Sequence, residues 1–125
     1  SIGPAAARPG HFNSAWDYWV TDGMGLHEYL MLAESFNAKP VMSIYTGYSM
    51  GQPYIPINQS QQFAQDALDA LEYATGDAKT TKYGRMRAEA GHPLPFKLTT
   101  LEVGNEEVDM GEYAAHYKLI SEAVW

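Results

Sequence analysis

Two periodicities take turns along this chain, and their alternation restricts its fold more than any other feature. Leu26, Tyr29, Leu30 and Ala33, with Phe36 one position off the stripe, recur at helical spacing over residues 25–37. Thr21 or Asp22 is available as the N-cap, and Asn37-Ala38 ends the run. Lys39-Pro40 then leads into Val41-Met42-Ser43-Ile44-Tyr45, a β-branched and aromatic run that predicts a buried strand. A second helix is expected from about Ser60 to Thr75, with Phe63, Ala64, Ala67, Leu68, Leu71 and Ala74 on one face and Gly76 as its terminator. Lys97 to Val103 predicts the next strand, and Tyr113, Tyr117, Ile120 and Val124 form the stripe of a last helix. Strands that alternate with helices pair in parallel through right-handed crossovers, so the fold class is α/β. Two strands alone leave both faces and both edges of a parallel sheet uncovered. The pattern therefore asks for more strands than 125 residues supply here.

The rest of the chain narrows the partners. Fifteen acidic against eight basic residues give a net charge of −7, which opposes binding to nucleic acid or an anionic membrane surface. Four of the basic residues, Lys79, Lys82, Arg85 and Arg87, fall in the polar stretch from Asp77 to Pro95. With Asp77 and Glu89 interleaved and Asp69 nearby, that stretch reads as a solvated connector rather than a nucleic-acid patch. Hydrophobic residues at 46% and aromatics at 13% exclude a disordered chain. No apolar run approaches the length of a membrane span. The absence of cysteine rules out disulfides, a thiolate nucleophile and a Cys-ligated metal. The first ten residues, Ser1 to Gly10, lack an initiator Met and a signal sequence, and read as a Pro/Gly loop interrupted before a structural element. A processed terminus and a cut inside a larger protein both fit. The stop at Val124-Trp125, on an apolar helical face, favours the cut.

Several motifs fail on inspection. Asp22-Gly23-Met24-Gly25-Leu26-His27-Glu28 has Glu28 where a dinucleotide fingerprint needs its third Gly, and no strand directly upstream. Met31 stands where a zinc-protease helix needs its second His. The four histidines show no metal-ligand spacing, and His92 in Gly-His-Pro reads as a loop side chain satisfied by the backbone. No Gly-x-Ser-x-Gly elbow is present. No cofactor and no metal are expected. Asn58-Gln59-Ser60 is a glycosylation sequon in a loop context.

Leu101-Glu102-Val103-Gly104-Asn105-Glu106-Glu107 carries the strongest chemical signal. A strand of parallel type ends in Gly and is followed at once by Asn-Glu. In a (β/α) barrel, side chains at the C-terminal ends of strands form the active site. A Glu there can protonate a leaving oxygen and then act as base, while the Asn donates to a sugar hydroxyl. A structural turn gives the same letters.

The series of blocks across the chain resembles the central part of the catalytic barrel of glycoside hydrolase family 51, the α-L-arabinofuranosidases, and is most similar to the secreted fungal and plant type. The blocks are Ile2-Gly3-Pro4, Arg8-Pro9-Gly10-His11-Phe12, Trp16-x-Tyr18-Trp19 and Asp22-Gly23-x-Gly25-x-x-Glu28-Tyr29-Leu30. They continue with Ile44-Tyr45-x-Gly47, Gln65-Asp66-Ala67-Leu68-x-x-Leu71-Glu72, Gly76-Asp77, Gly91-His92-Pro93-x-Pro95-Phe96-Lys97 and Glu102-Val103-Gly104-Asn105-Glu106.

The resemblance implies that residues 1–125 are a fragment of a single (β/α)8 TIM-barrel catalytic domain, covering about its third and fourth strands with flanking helices. It implies a retaining exo-hydrolase, secreted, that releases terminal arabinofuranose from arabinoxylan, arabinan or their oligosaccharides. Glu106 falls on the general acid/base and Asn105 on its sugar-contacting neighbour. The nucleophile would come from the seventh strand, outside this chain, and the remainder of the barrel and an accessory β-domain are the expected partners. Glu107, Asp109 and Glu112 read as solvated or as favouring the following helix N-terminus. Tyr45-Thr46 stands where some members carry Asn near the end of the third strand. Trp16 and Trp19 are assigned to loop packing ahead of sugar stacking. Secretion makes glycosylation at Asn58 more credible. A free-standing half barrel that binds carbohydrate or packs with a partner, without chemistry, is the alternative. Another retaining glycosidase would explain the fourth strand but not the upstream blocks.

Overall fold

The two β-branched runs pair side by side. In the computed structural model, which describes residues 2–125, the elements run β1 (His11–Asn13), β2 (Tyr18–Val20), α1 (Leu26–Ser35), β3 (Val41–Ile44), α2 (Gln61–Thr75), α3 (Lys82–Glu89), β4 (Thr100–Val103) and α4 (Met110–Val124). Short 3-10 turns lie at Ala5–Ala7 and Ile57–Gln59. The chain forms a mixed α/β structure, and none of its described helices is long and apolar enough to cross a membrane.

It divides into two units. The first holds the residues up to Pro40 together with Ala70–Thr99, and the second holds Val41–Asp69 and Thr100–Trp125. In the second unit, β3 and β4 are parallel, with Val41 opposite Thr100 and Ile44 opposite Val103. Side chains alternate across a strand. Met42 and Ile44 of β3 therefore share a face with Leu101 and Val103 of β4, and all four pack with Ala64 and Ala67 of α2 and Ile120 of α4. Burial of this face drives the pairing, at roughly 25 cal/mol per Å² of apolar area removed from water. The opposite face is open: Val41, Ser43, Thr100 and Glu102 are exposed, and the Ser43 hydroxyl donates to the Glu102 carboxylate.

In the first unit, β1 and β2 form an antiparallel pair with His11 opposite Val20. The Asn13 side chain accepts from the Ala15 and Trp16 amides, which closes the turn between them. Leu30 of α1, Tyr73 and Ala74 of α2, and Phe96 and Leu98 are its buried apolar residues.

Most predicted elements are present, with differences at their ends and two additions. The residue before α1 is Gly25, not Thr21 or Asp22, and Glu28 reaches back to accept from the Gly25 amide. The strand predicted to Tyr45 stops at Ile44, and the one predicted from Lys97 starts at Thr100. The β1–β2 hairpin was not anticipated. The connector predicted from Asp77 to Pro95 contains α3, started by Thr81, whose hydroxyl oxygen accepts from the Gly84 amide at 3.1 Å. The residues α3 buries are Gly84 and Arg87, so no apolar stripe announces it.

Candidate active site

Parallel pairing puts the C-terminal ends of β3 and β4 at the same edge of the sheet, and both strands open there into loops. The ladder continues one step past β4, because the Gly104 amide donates to the Ile44 carbonyl at 2.9 Å. The Tyr113 hydroxyl, from the first turn of α4, donates to the Val103 carbonyl at 2.7 Å. Burial pushes the ionisation of that phenol up, which keeps it a donor.

Beyond this point the chain turns sharply. Gly104 has φ +86°, and a Cβ there would lie 2.6 Å from Glu107 Oε1 and 2.9 Å from Tyr113 Cε2. Only glycine fits. Glu106 also has a left-handed backbone, φ +52°, a conformation that costs a non-glycine residue on the order of 1 kcal/mol. Asn105 and Glu106 are both exposed, and among the described residues neither side chain has a hydrogen-bond partner. They border an open concavity of about 450 Å³ along β4 and α4, lined also by Leu101, Val103, Tyr117 and Trp125. An exposed carboxyl and carboxamide, side by side at the end of a parallel strand, can exchange a proton with and donate to a ligand seated there.

The neighbouring acids do not share this freedom. Asp109 caps α4, accepting from the Gly111 and Glu112 amides at 2.9 and 3.2 Å, and Glu112 lies in that helix's first turn, where its charge favours the helix dipole. Both follow expectation. Glu107 does not: it is half-buried, accepting from the Thr46 and Tyr54 hydroxyls and from the Asn105 amide at 3.2 Å. Thr46 is fully buried directly after β3. The Tyr54 ring stacks on Tyr48 at 5.0 Å and lies 5.3 Å from His116. Burial and the Glu107 carboxylate push the Tyr54 phenol up, so it too stays protonated. The sequence singled out neither Tyr54 nor the role of Glu107; their separation of 53 positions leaves no local signal.

Asn58 is exposed on the turn Ile57–Gln59. Ser60 of the same sequon is fully buried; its hydroxyl donates to the Pro56 carbonyl and lies 3.4 Å from His116 Nε2, and among the described residues His116 Nδ1 has no hydrogen-bond partner.

The first unit places the remaining candidates. Trp16 and Trp19 are about two-thirds exposed, at 63% and 62%, and the Trp19 indole lies against Gly10. His27 Nδ1 meets the Tyr73 hydroxyl at 2.9 Å, and burial lowers its basicity. His92 Nδ1 contacts the Leu94 carbonyl as expected of a loop histidine, and its Nε2 also meets Glu34 at 2.9 Å while the ring stacks on Phe96. Arg87, one of the four basic residues of the supposed solvated connector, is fully buried and donates to the carbonyls of Tyr73, Ala74, His92 and Pro93. Among the described residues, no group of three or more His, Asp or Glu is placed to hold a metal ion.

Comparison with known proteins bears on all of this. The family model described as the alpha-L-arabinofuranosidase 1 domain matches residues 1–125. Alpha-L-arabinofuranosidase 1 of Arabidopsis thaliana is 36% identical over 124 residues, 99% of this chain and 18% of that protein. An extracellular exo-alpha-L-arabinofuranosidase of Streptomyces chartreusis is 37% identical over 127 residues, covering 99% of this chain and 15% of that one. Among solved structures, the arabinose-bound MgGH51 α-L-arabinofuranosidase superposes with a TM-score of 0.88 at 36% identity, over 98% of this chain and 20% of that one. An arabinose complex of the Thermotoga maritima α-L-arabinofuranosidase matches with a TM-score of 0.67 at 30% identity, over 84% of this chain and 19% of that one. The chain spans about a sixth of the length of the curated relatives it matches.

Proposed function

The chain belongs to the α-L-arabinofuranosidases of glycoside hydrolase family 51, and from that premise we propose that residues 1–125 are one portion of a single (β/α)8 catalytic domain, carrying the acid/base of a retaining α-L-arabinofuranosidase but not its nucleophile. One strand face packed under helices and the other left open is what a barrel wall requires. The observation that carries the catalytic reading is the Asn105-Glu106 turn, exposed at the C-terminal end of a parallel strand.

Glu106, protonated, would donate its proton to the glycosidic oxygen as the bond from C1 to that oxygen breaks. A second carboxylate would form the ester to C1. Glu106, now ionised, would take a proton from the water that hydrolyses the ester, which restores its starting state. Retention requires the two carboxyl groups about 5–5.5 Å apart on opposite faces of the sugar. Glu107 is held by Thr46 and Tyr54, and Asp109 caps a helix. Neither is free to attack, so the nucleophile belongs to a strand outside residues 1–125. Asn105 would donate to a sugar hydroxyl. Terminal arabinofuranose on arabinan, arabinoxylan or their oligosaccharides is the substrate class, supported by the arabinose seated in the solved relatives. Secretion, supported by the extracellular Streptomyces relative, would make Asn58 a glycosylation site. Because the Ser60 hydroxyl is buried in the folded unit, the glycan would be added before folding.

Hydrolysis of aryl arabinofuranosides by the complete polypeptide tests this. Glu106→Gln is expected to lower kcat/KM by about 10²–10⁴-fold on a poor leaving group, the range general acid catalysis supplies, and by far less on a good one. Residues 1–125 alone are expected to be inactive. Equal loss on both substrates would remove Glu106 from the acid role. Glu106-dependent turnover by the 125 residues alone would mean the nucleophile lies among them.

A further inference from the structure

The Glu106 backbone sits in an unfavourable conformation, and among the described residues its side chain makes no hydrogen bond that would hold it there. Something else must fix the turn. The geometry points to Glu107 as a positioning residue: by binding Thr46, Tyr54 and the Asn105 amide at once, it locks the Asn105-Glu106 turn and aims the Glu106 carboxyl. This rests on the reading of Glu106 as general acid.

Three features converge on that role. First, the Glu107 carboxylate joins the loop after β3 to the turn after β4. Its Oε1 takes the Thr46 hydroxyl and the Asn105 amide, and its Oε2 takes the Tyr54 hydroxyl. Second, its partners are themselves immobile. Thr46 is fully buried, and the Tyr54 ring stacks on Tyr48 and contacts the buried His116 ring. A carboxylate is held best by donors that cannot swing away. Third, the bond to the Asn105 amide closes back over Gly104, where a side chain would occupy the space that Oε1 needs. Glu107 lies one residue past Glu106, so the chain is pinned at 105 and 107 and residue 106 is left between two fixed points. The exposed Glu106 side chain then projects from a rigid turn. Positions held this closely matter, because proton transfer requires donor and acceptor within hydrogen-bond reach.

A residue that only supports folding would lower turnover of every substrate alike. One that aims a general acid lowers turnover according to how much the leaving group needs a proton. In the complete enzyme, kcat/KM is measured on an alkyl arabinofuranoside and on a dinitrophenyl arabinofuranoside, normalised to the concentration of folded enzyme. Glu107→Ala is expected to lose about ten- to a hundredfold on the alkyl glycoside, a part of what acid catalysis supplies, and under about threefold on the dinitrophenyl one. Glu107→Gln preserves the shape and an oxygen that accepts from Thr46 and Asn105, and should restore most of the loss. Tyr54→Phe removes one of three donors and should show the same leaving-group dependence at smaller size. It also keeps the test open if Glu107→Ala does not fold. Equal losses on both glycosides for Glu107→Ala and Tyr54→Phe, beside a leaving-group-dependent Glu106→Gln, would overturn the positioning role and leave the acid assignment standing. A Glu106→Gln enzyme with no leaving-group dependence would overturn the acid assignment and this inference together.

Discussion

The two units take charge out of water in opposite ways. In the first, the enclosed charges are guanidinium groups. Arg8 forms a bidentate pair with Glu28 and donates to the carbonyls of Gly3 and Asp22, while Arg87 has no carboxylate partner and is satisfied by four carbonyls. In the second, the enclosed charge is the Glu107 carboxylate, and its partners are two hydroxyls and one amide. A guanidinium offers five N–H groups in a fixed fork, so one side chain ties several stretches of backbone together. A carboxylate only accepts, and Glu107 fastens a single turn. The first unit thus spends its polar groups on its own loops. The second pins one turn and leaves the carboxyl of the preceding residue, Glu106, exposed.

Substitution should separate the two uses of charge cleanly. The largest effect expected is on rate: Glu106→Gln in the complete enzyme lowers activity by orders of magnitude on poor leaving groups, yet denaturant unfolding should move by no more than about 0.5 kcal/mol, as for other exposed sites. Relief of an unpaired exposed charge gives no reason for a larger shift. Arg87→Leu should do the reverse. It removes the guanidinium that the carbonyls of Tyr73, His92 and Pro93 accept from, the Ala74 carbonyl keeping the Phe96 amide, and the arginine site is fully buried; the loss expected is about 3–5 kcal/mol, with residual activity tracking the folded fraction. If Arg87→Leu instead changes leaving-group dependence in a fully folded enzyme, the division between fastening and display does not hold.

What the sequence disclosed follows the same line. The strand at Val41, the helix ending at Thr75 and the helix at Met110 bury apolar faces, and apolar periodicity revealed them. The segment 82–89 buries a glycine and an arginine. A pattern that equates the core with apolar residues reads such a helix as a solvated connector, and Thr81, an N-cap residue type with no Glu or Gln three positions on, is a weak start signal by itself. The hairpin at 11–20 has strands of three residues and exposes Phe12, Tyr18 and Trp19, too short for alternation to register. The position of Glu106 just past a strand was legible because it is local. Glu107 was not, because Thr46 and Tyr54 come to it from 61 and 53 positions away.

A smaller effect tests the Arg8–Glu28 pair. The guanidinium of Arg8 holds the Glu28 carboxyl down at about 2, against an ordinary value of 4.5. A carboxyl depressed in the folded state contributes its full stabilisation above its unfolded value and loses it as protons bind, so this contribution is complete above about pH 4.5 and vanishes as pH falls to about 2. Denaturation midpoints of the wild type should therefore fall across that window, and those of Glu28→Gln should fall less. Parallel curves for the two would show that the pair adds no pH-dependent stability.

The smallest effect expected comes from His27, and its sign is set by burial rather than pairing. Removal from water lowers the basicity of its ring more than the nearby Glu28 raises it, with His92 and Arg8 adding to the lowering. A histidine whose folded pKa lies below its unfolded value binds its proton more readily when the chain is open. Stability is therefore intact above the ordinary value of 6.5 and declines as pH falls below it. The Tyr73 hydroxyl at 2.9 Å is consistent with a neutral ring, since the phenol donates to an unprotonated Nδ1. His27→Gln should flatten the stability curve below the ordinary histidine value of 6.5 while leaving the fall at lower pH that belongs to Glu28. A wild-type curve that rises on acidification through 6.5 would require His27 to gain its proton on folding, and would place an acceptor rather than a donor in the Tyr73 hydroxyl.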